Sequence, residues 1–144
     1  VNLIIRKASV CWNGNSKGGT RSVTTWSGVL KQTKLSLGIP LRKNIETDPA
    51  ELIAAAHSSS FSSALSKELK LKTAAAGSIL TTATVTMECL AGVWTIMSIH
   101  LAIAATLPKM TQGRFIDATI RAKTSCLVSR VLRANISMTA KLEN

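Results

Sequence analysis

Few residues of this chain could do chemistry. Cys11, Cys89 and Cys126 are widely separated, and no CxxC pair or Cys/His cluster of zinc spacing occurs. His57 and His100 are isolated. Neither a metal site nor a bound cofactor is expected from such a set. His57 stands three residues before Ser60 and invites comparison with a base beside a hydroxyl nucleophile. No orienting Asp is evident and the nucleophile elbow is missing, so a packed or capping-network histidine is the better reading. On residue type alone, Cys126 is a small buried apolar residue. Cys11 and Cys89 read as structural or incidental. Glu51 has the position of a capping-box glutamate, and Arg42 and Lys43 that of solvated loop charges.

The element that must position Ser60 and Glu51 is a helix over residues 47–72. Asp48 falls at its N-cap, Pro49 at its first position and Glu51 three residues after the cap. An Ala-, Leu- and Ser-rich run without Gly or Pro follows. Phe61, Leu65 and Leu69 stack at four-residue spacing. Ile53, Ala56, Ser60 and Ala64 form a second row, mostly small, against which another backbone can come close. The spacing predicts strands over 3–12, 21–26 and 29–37 before this helix, with turn residues 13–19 between the first two. Gly38–Ile39–Pro40 should end the third strand. Strands over 79–88 and 94–105 follow the helix, with a hairpin tip at Leu90–Ala91–Gly92. Thr111 should cap a second helix whose buried face is Phe115, Ala118, Thr119, Ala122 and Cys126. A short helical turn at 128–132 and a final strand over 134–142 complete the order. Strands in blocks joined by hairpins indicate α+β with antiparallel sheets. Trp12, Trp26 and Trp94 are expected in the core or on a site wall.

A chain of 144 residues fits a single domain, 1–144, with a real core. No apolar run is long enough to span a bilayer, and no signal or lipidation pattern is present, so a soluble protein without membrane association is expected. An odd cysteine count without a disulfide framework suits a reducing, cytoplasmic location. The net charge is +11, and residues 1–43 hold eight Lys or Arg and no acid. An acidic partner would answer that charge. A solvated sheet edge explains it more simply, and with Tyr absent and only two Phe there is no aromatic set to stack on bases. Nucleic acid is not the expected partner.

Three segments resemble one family. TDPAELIAAAHSSSFSSALS resembles the signature helix of the OsmC/Ohr hydroperoxide reductases. AKTSCLVSRVL resembles their second cysteine motif, and SKGGTRSVTTWSGVL their N-terminal strand pair. The similarity runs over essentially the whole chain, with OsmC the closer branch. It implies an OsmC-like α+β fold with antiparallel sheets around a long central helix, in an intertwined homodimer. It implies a peroxidase that reduces organic hydroperoxides in oxidative-stress defence and is recharged by an external dithiol or lipoyl-type reductant. Cys126 then matches the resolving cysteine and Glu51 the family glutamate. Arg42 matches the arginine, with a loop about two residues short; Arg21 is the weaker alternative. The attacking cysteine falls on Ser60.

That departure matters chemically. A thiolate attacks the distal peroxide oxygen, and the resulting sulfenic acid condenses with a second thiol. A guanidinium lowers the thiol pKa and can hold the peroxide, while a carboxylate fixes the guanidinium. A serine hydroxyl stays protonated and cannot pass through sulfenic and disulfide states. The two-cysteine cycle is therefore closed to this chain. Ser60 is either an engineered exchange or a natural loss, and the alternative function is a non-enzymatic basic dimer that binds a small apolar ligand or an acidic partner. Glu51 and Ser60 lie nine positions apart, on opposite faces of a straight helix. Either the helix breaks between them or a second chain supplies one of them, which agrees with the dimer the resemblance implies.

Overall fold

The structure, a computed structural model, describes residues 3–15, 18–36, 41–71 and 77–143. The chain divides into two compact units, Val1–Pro49 and Ala50–Asn144.

In the N-terminal unit β1 (Ala8–Asn15), β2 (Gly18–Thr25) and β3 (Thr33–Leu35) form an antiparallel sheet in that order. The expected hairpin is present, but its ladder continues through Asn13–Thr20 and Gly14–Gly19 to Asn15–Gly18, into the segment read as turn. Gly19 makes this possible. Its φ is 115°, and a Cβ there would collide with the Asn13 carbonyl oxygen. The first strand starts at Ala8, not at residue 3. β2 ends at Thr25, and beyond it a single bond from the Trp26 N–H reaches the Lys7 carbonyl. Apolar and β-branched residues favour a pleat only where a neighbour completes it, and Leu3 and Ile4 lie exposed. The third strand keeps only three residues, because Gln32 takes a positive φ of 49° just before it. The expected stop at Gly38–Ile39–Pro40 lies outside the described residues.

The C-terminal unit holds α1 (Pro49–Glu68), β4 (Ser78–Leu90), β5 (Val93–Thr106), α2 (Gln112–Ser125), α3 (Leu127–Val131) and β6 (Asn135–Glu143). α1 begins at Pro49, directly after Asp48, as the capping pattern requires. Its end comes earlier than expected. The Lys70 N–H bonds the Lys67 carbonyl and the Leu71 N–H the Ser66 carbonyl, with Lys70 at φ 56°. This is the Schellman arrangement, in which a left-handed residue closes the last turn. The predicted end at Lys72 lies outside the described residues.

β4 and β5 pair antiparallel from Ser78–Thr106 to Leu90–Val93, closed by Ala91 and Gly92 at φ 50° and 81°. Two positive φ values are those of a type I′ hairpin turn. β6 runs parallel to β5, from Ser98–Asn135 to Thr106–Glu143. This corrects the expectation of purely antiparallel sheets. α2 and α3 carry the chain back along the sheet before β6 starts, and a strand entered through such a crossover pairs parallel.

The core is built from the predicted faces. Phe61, Leu65 and Leu69 of the first helix segment are buried with Leu101 and Ile103 of β5 and with Phe115, Ala118, Ala122 and Cys126. Each large side chain so buried contributes about 1.5–3 kcal/mol. Thr111 caps α2, its side chain accepting from the Arg114 N–H. The tryptophans depart from expectation: Trp12, Trp26 and Trp94 are 52%, 70% and 54% exposed. Trp26 sits just past the end of β2. Trp94 lies beside the β4–β5 tip, and full burial in β5 starts only at Ile99. Among the described residues no helix is long and apolar enough to cross a membrane.

Lys70 is an L-residue in a conformation that costs about 1 kcal/mol and that glycine adopts freely. Lys70→Gly is expected to raise the unfolding free energy by about that amount in denaturant titrations. An unchanged or lower midpoint would contradict the left-handed cap.

Candidate functional site

α2 and α3 are separated by one residue, Cys126, whose extended backbone (φ −63°, ψ 120°) ends the first helix and starts the second. Its N–H still bonds the Ala122 carbonyl at 2.8 Å, and its own carbonyl accepts from the Arg130 N–H at 3.2 Å. The corner turns the side chain inward, and Cys126 is fully buried. It meets α1 at Ser60. The Cys126 thiol donates to Ser60 Oγ over 3.3 Å, and the Val128 N–H donates to the same oxygen over 3.4 Å. Position 60 belongs to the row of small residues, and that is what lets a backbone N–H of α3 come within reach.

The Cys126 proton is subject to opposing influences. Burial raises the thiol pKa. Hydrogen bonding with the side chains of Ser129 and Ser60, and with the backbone of Ser129 and Val128, lowers it. The net result is a thiol below its ordinary value of 9.0. Ser129 also bonds His57, with Nε2 and Oγ 2.7 Å apart. His57 is buried, and desolvation lowers its pKa from the ordinary 6.5, so its imidazole is neutral at pH 7. His57 and Ser129 thus form one hydrogen-bonded pair, and Cys126 and Ser60 another.

Beside Ser60 lies a cleft of about 680 Å³, walled by Ala56, Ser59, Ser60, Ser63, Leu127 and Val128, with Lys67 and Glu68 also on its wall. Cys126 is not on the wall; Ser60 is. Among the described residues no three His, Cys, Asp or Glu gather as metal ligands.

The other residues expected at the site are placed as follows. Glu51 lies in the first turn of α1, which runs unbroken through Ser60. The two therefore stand on opposite sides of one helix. Arg42 belongs to the N-terminal unit, where its guanidinium engages Glu46 through Nε at 2.6 Å and Nη2 at 2.5 Å. That contact with Arg42 holds the Glu46 carboxyl below its usual value. Arg21, the weaker alternative, donates to the Ser36 carbonyl. Cys11 and Cys89 are free and exposed, in β1 and near the β4–β5 tip as expected. Sequence reasoning missed Ser129. The one available signal was its spacing, three residues after Cys126 within a helical turn. It read His57 as a packed or capping-network histidine, and the side chain is buried.

Two three-stranded sheets, few helices and a buried thiol facing a helix hydroxyl define an α+β protein with a thiol at its interior corner. Residues 42–141 match the family of OsmC-like proteins. Over 141 residues the chain is 34% identical to peroxiredoxin OsmC of Escherichia coli, covering 98% of this chain and 99% of that one. An OsmC-like protein of unknown function from Vibrio cholerae has the same fold, with a TM-score of 0.75 at 15% identity over 96% of this chain and 99% of the other. The organic hydroperoxide resistance protein OhrB of Bacillus subtilis matches with a TM-score of 0.61 at 19% identity over 95% and 98%. The chain belongs to the OsmC family.

The buried neutral His57 has a consequence for stability. Its folded pKa lies below the unfolded 6.5, so the unfolded chain binds its proton first as pH falls. The stability conferred by keeping it neutral is complete above pH 6.5 and declines as pH drops through the folded pKa. Denaturant titrations from pH 7 downward should show that decline begin below about 6.5, above the ordinary carboxylate range. His57→Leu, if folded, should remove it; a decline of the same size in that variant would assign it elsewhere.

Proposed function

We propose that this chain has the scaffold of a thiol-dependent organic hydroperoxide reductase, with serine at the attacking position. One observation carries the reading: Ser60 Oγ and Cys126 Sγ face each other at 3.3 Å in the core of an OsmC-family fold. A sulfur at position 60 would stand within reach of a disulfide with Cys126. The kinship with peroxiredoxin OsmC supplies the reaction class. In this reading a cysteine at position 60 attacks the hydroperoxide, Cys126 resolves the sulfenic acid, and an external dithiol or lipoyl-type reductant opens the disulfide. Arg42 and Glu51 form the polar clamp. With Ser60 in place the chain binds hydroperoxide in the cleft but does not complete the two-cysteine cycle. The small apolar wall of Ala56, Leu127 and Val128 suits an organic peroxide better than hydrogen peroxide.

The clamp also requires a second chain. α1 is continuous from Pro49 to Glu68, so Glu51 and Ser60 of one chain cannot meet at one site. A homodimer in which the partner copy supplies Glu51 satisfies both positions. Outward apolar residues of the C-terminal sheet, among them Leu80, Val93 and Met97, give such a dimer surface to cover. Light scattering should give twice the chain mass, and a monomer at working concentration would count against the shared site.

The decisive experiment is Ser60→Cys assayed for organic hydroperoxide consumption with a dithiol reductant. The parent chain should show only background, Ser60→Cys should turn over, and adding Cys126→Ser should abolish the intramolecular disulfide seen by mass spectrometry. A correctly folded Ser60→Cys dimer that consumes no hydroperoxide would sink the reading.

A further inference from the structure

The positive charge of the chain is concentrated away from the site described above. Residues 1–43 carry eight Lys or Arg, and the first acid is Glu46. Within the N-terminal unit Ala8 pairs with Thr25, so segments 3–7 and 26–31 leave the sheet at the same end. Both are held there. The Trp26 N–H bonds the Lys7 carbonyl at 3.0 Å, and the Lys7 ammonium stands 6.0 Å from the centre of the Trp26 ring, within cation–π reach. The second segment is a closed turn. The Thr25 N–H bonds the Leu30 carbonyl and the Gly28 N–H the Thr25 carbonyl, both at 2.9 Å, and the Leu30 N–H bonds Thr25 Oγ1 at 3.1 Å. Gly28 takes a φ of 76° at the bend.

This end presents large apolar side chains to water. Leu3, Ile4, Ile5, Trp26 and Val29 are 56% to 84% exposed. Arg6, Lys7 and Lys31 stand among them in sequence and are exposed too. A cleft of about 740 Å³ is lined from both segments, by Arg6, Lys7 and Ala8 on one side and Thr25, Trp26 and Ser27 on the other. Solvation accounts for the cations of such an end. It does not account for five large apolar residues set among them.

We propose that this end of the N-terminal sheet is a docking surface for an anionic lipid bilayer, with Leu3, Ile4, Ile5, Trp26 and Val29 entering the boundary between headgroups and acyl chains and Arg6, Lys7 and Lys31 engaging lipid phosphates. Binding of this kind adds apolar burial to attraction by anionic lipids, and the protein lies on the membrane without crossing it. Tryptophan favours that boundary, and long basic side chains reach the headgroups past apolar neighbours. No spanning helix is needed, and none is present among the described residues. The charge selects this occupant. A self-complementary contact with a second copy would bring two sets of the same three cations together. A nucleic acid answers the charge but gives the aliphatic side chains nothing to enter. The proposal goes beyond the peroxidase reading and uses no residue of its site.

The test is binding of the full chain to vesicles of phosphatidylcholine with and without phosphatidylglycerol. Flotation should recover the protein with the anionic vesicles and not with the neutral ones, and added salt should release it. Lipids brominated along their acyl chains should quench tryptophan emission of the unaltered chain, and Trp26→Phe should remove that quenching. Arg6→Gln and Lys31→Gln should each weaken partition about fivefold. Ile4→Ser with Val29→Ser should abolish quenching with the circular dichroism unchanged. Should that variant fail to fold, the quenching of the unaltered chain and its loss in Trp26→Phe decide the matter. Equal recovery with neutral and anionic vesicles overturns the proposal, as does quenching that survives Trp26→Phe. It is overturned as well if the serine variant turns a dimer into a monomer in light scattering, which assigns this end to a second copy. Loss of binding to a single-stranded oligonucleotide in Arg6→Gln and Lys31→Gln, with vesicle binding intact, assigns it to nucleic acid and overturns the proposal too. Hydroperoxide consumption by Ser60→Cys in vesicle-free solution is scored separately, and its failure touches only the peroxidase reading.

Discussion

The contact between Ser60 and Cys126 joins segments 66 residues apart and fixes α1 against the α2–α3 corner. Each side has a local cause. On α1, a row of small residues leaves space for another backbone. On the corner, a single extended residue interrupts two helices and swings its side chain into the core. Neither would hold without the other. Cys126 is buried only because α1 covers it, and Ser60 finds two donors only because the corner presents a thiol and an N–H together. Apolar packing of Phe61 and Leu65 against Phe115 and Ala118 supplies the energy, since a hydroxyl–thiol bond contributes little by itself. The polar contact sets register within a corner that burial has already closed.

How much of this was legible depended on whether the cause was local. The start of α1 at Pro49, the cap at Thr111, the stacking of Phe61, Leu65 and Leu69, and the α2 face ending at Cys126 follow from neighbours a few positions away, and they were readable. The parallel pairing of β6 was not, because Asn135–Glu143 alternates in the same way whichever direction it runs. The early end of α1 was hidden too. Lys70 is an ordinary helix former, and nothing in its type announces a left-handed turn. The tryptophans misled because a large aromatic residue suits a core or an interface equally. Trp26 lies past the end of β2, and Trp94 beside the β4–β5 hairpin tip.

The site divides along the same line. The motif resemblance singled out Ser60 and Cys126, and the two side chains meet at 3.3 Å. The bond between His57 and Ser129 was not readable. It closes across 72 residues, and the serine three places after a cysteine resembles many helical serines. Arg42 shows the opposite case. Its type and position fit a peroxide clamp, yet the partner seen for its guanidinium is Glu46, four residues on.

The distances at position 60 bear on what atom that place is suited to hold. A backbone N–H to an oxygen normally spans about 2.9–3.0 Å, and the Val128 N–H to Ser60 Oγ spans 3.4 Å. The thiol of Cys126 approaches from another direction at 3.3 Å. The hydroxyl is thus held loosely by the backbone N–H and at ordinary sulfur–oxygen contact by the thiol. A neutral hydroxyl gains little from two donors, whereas an anionic sulfur would be stabilised by both.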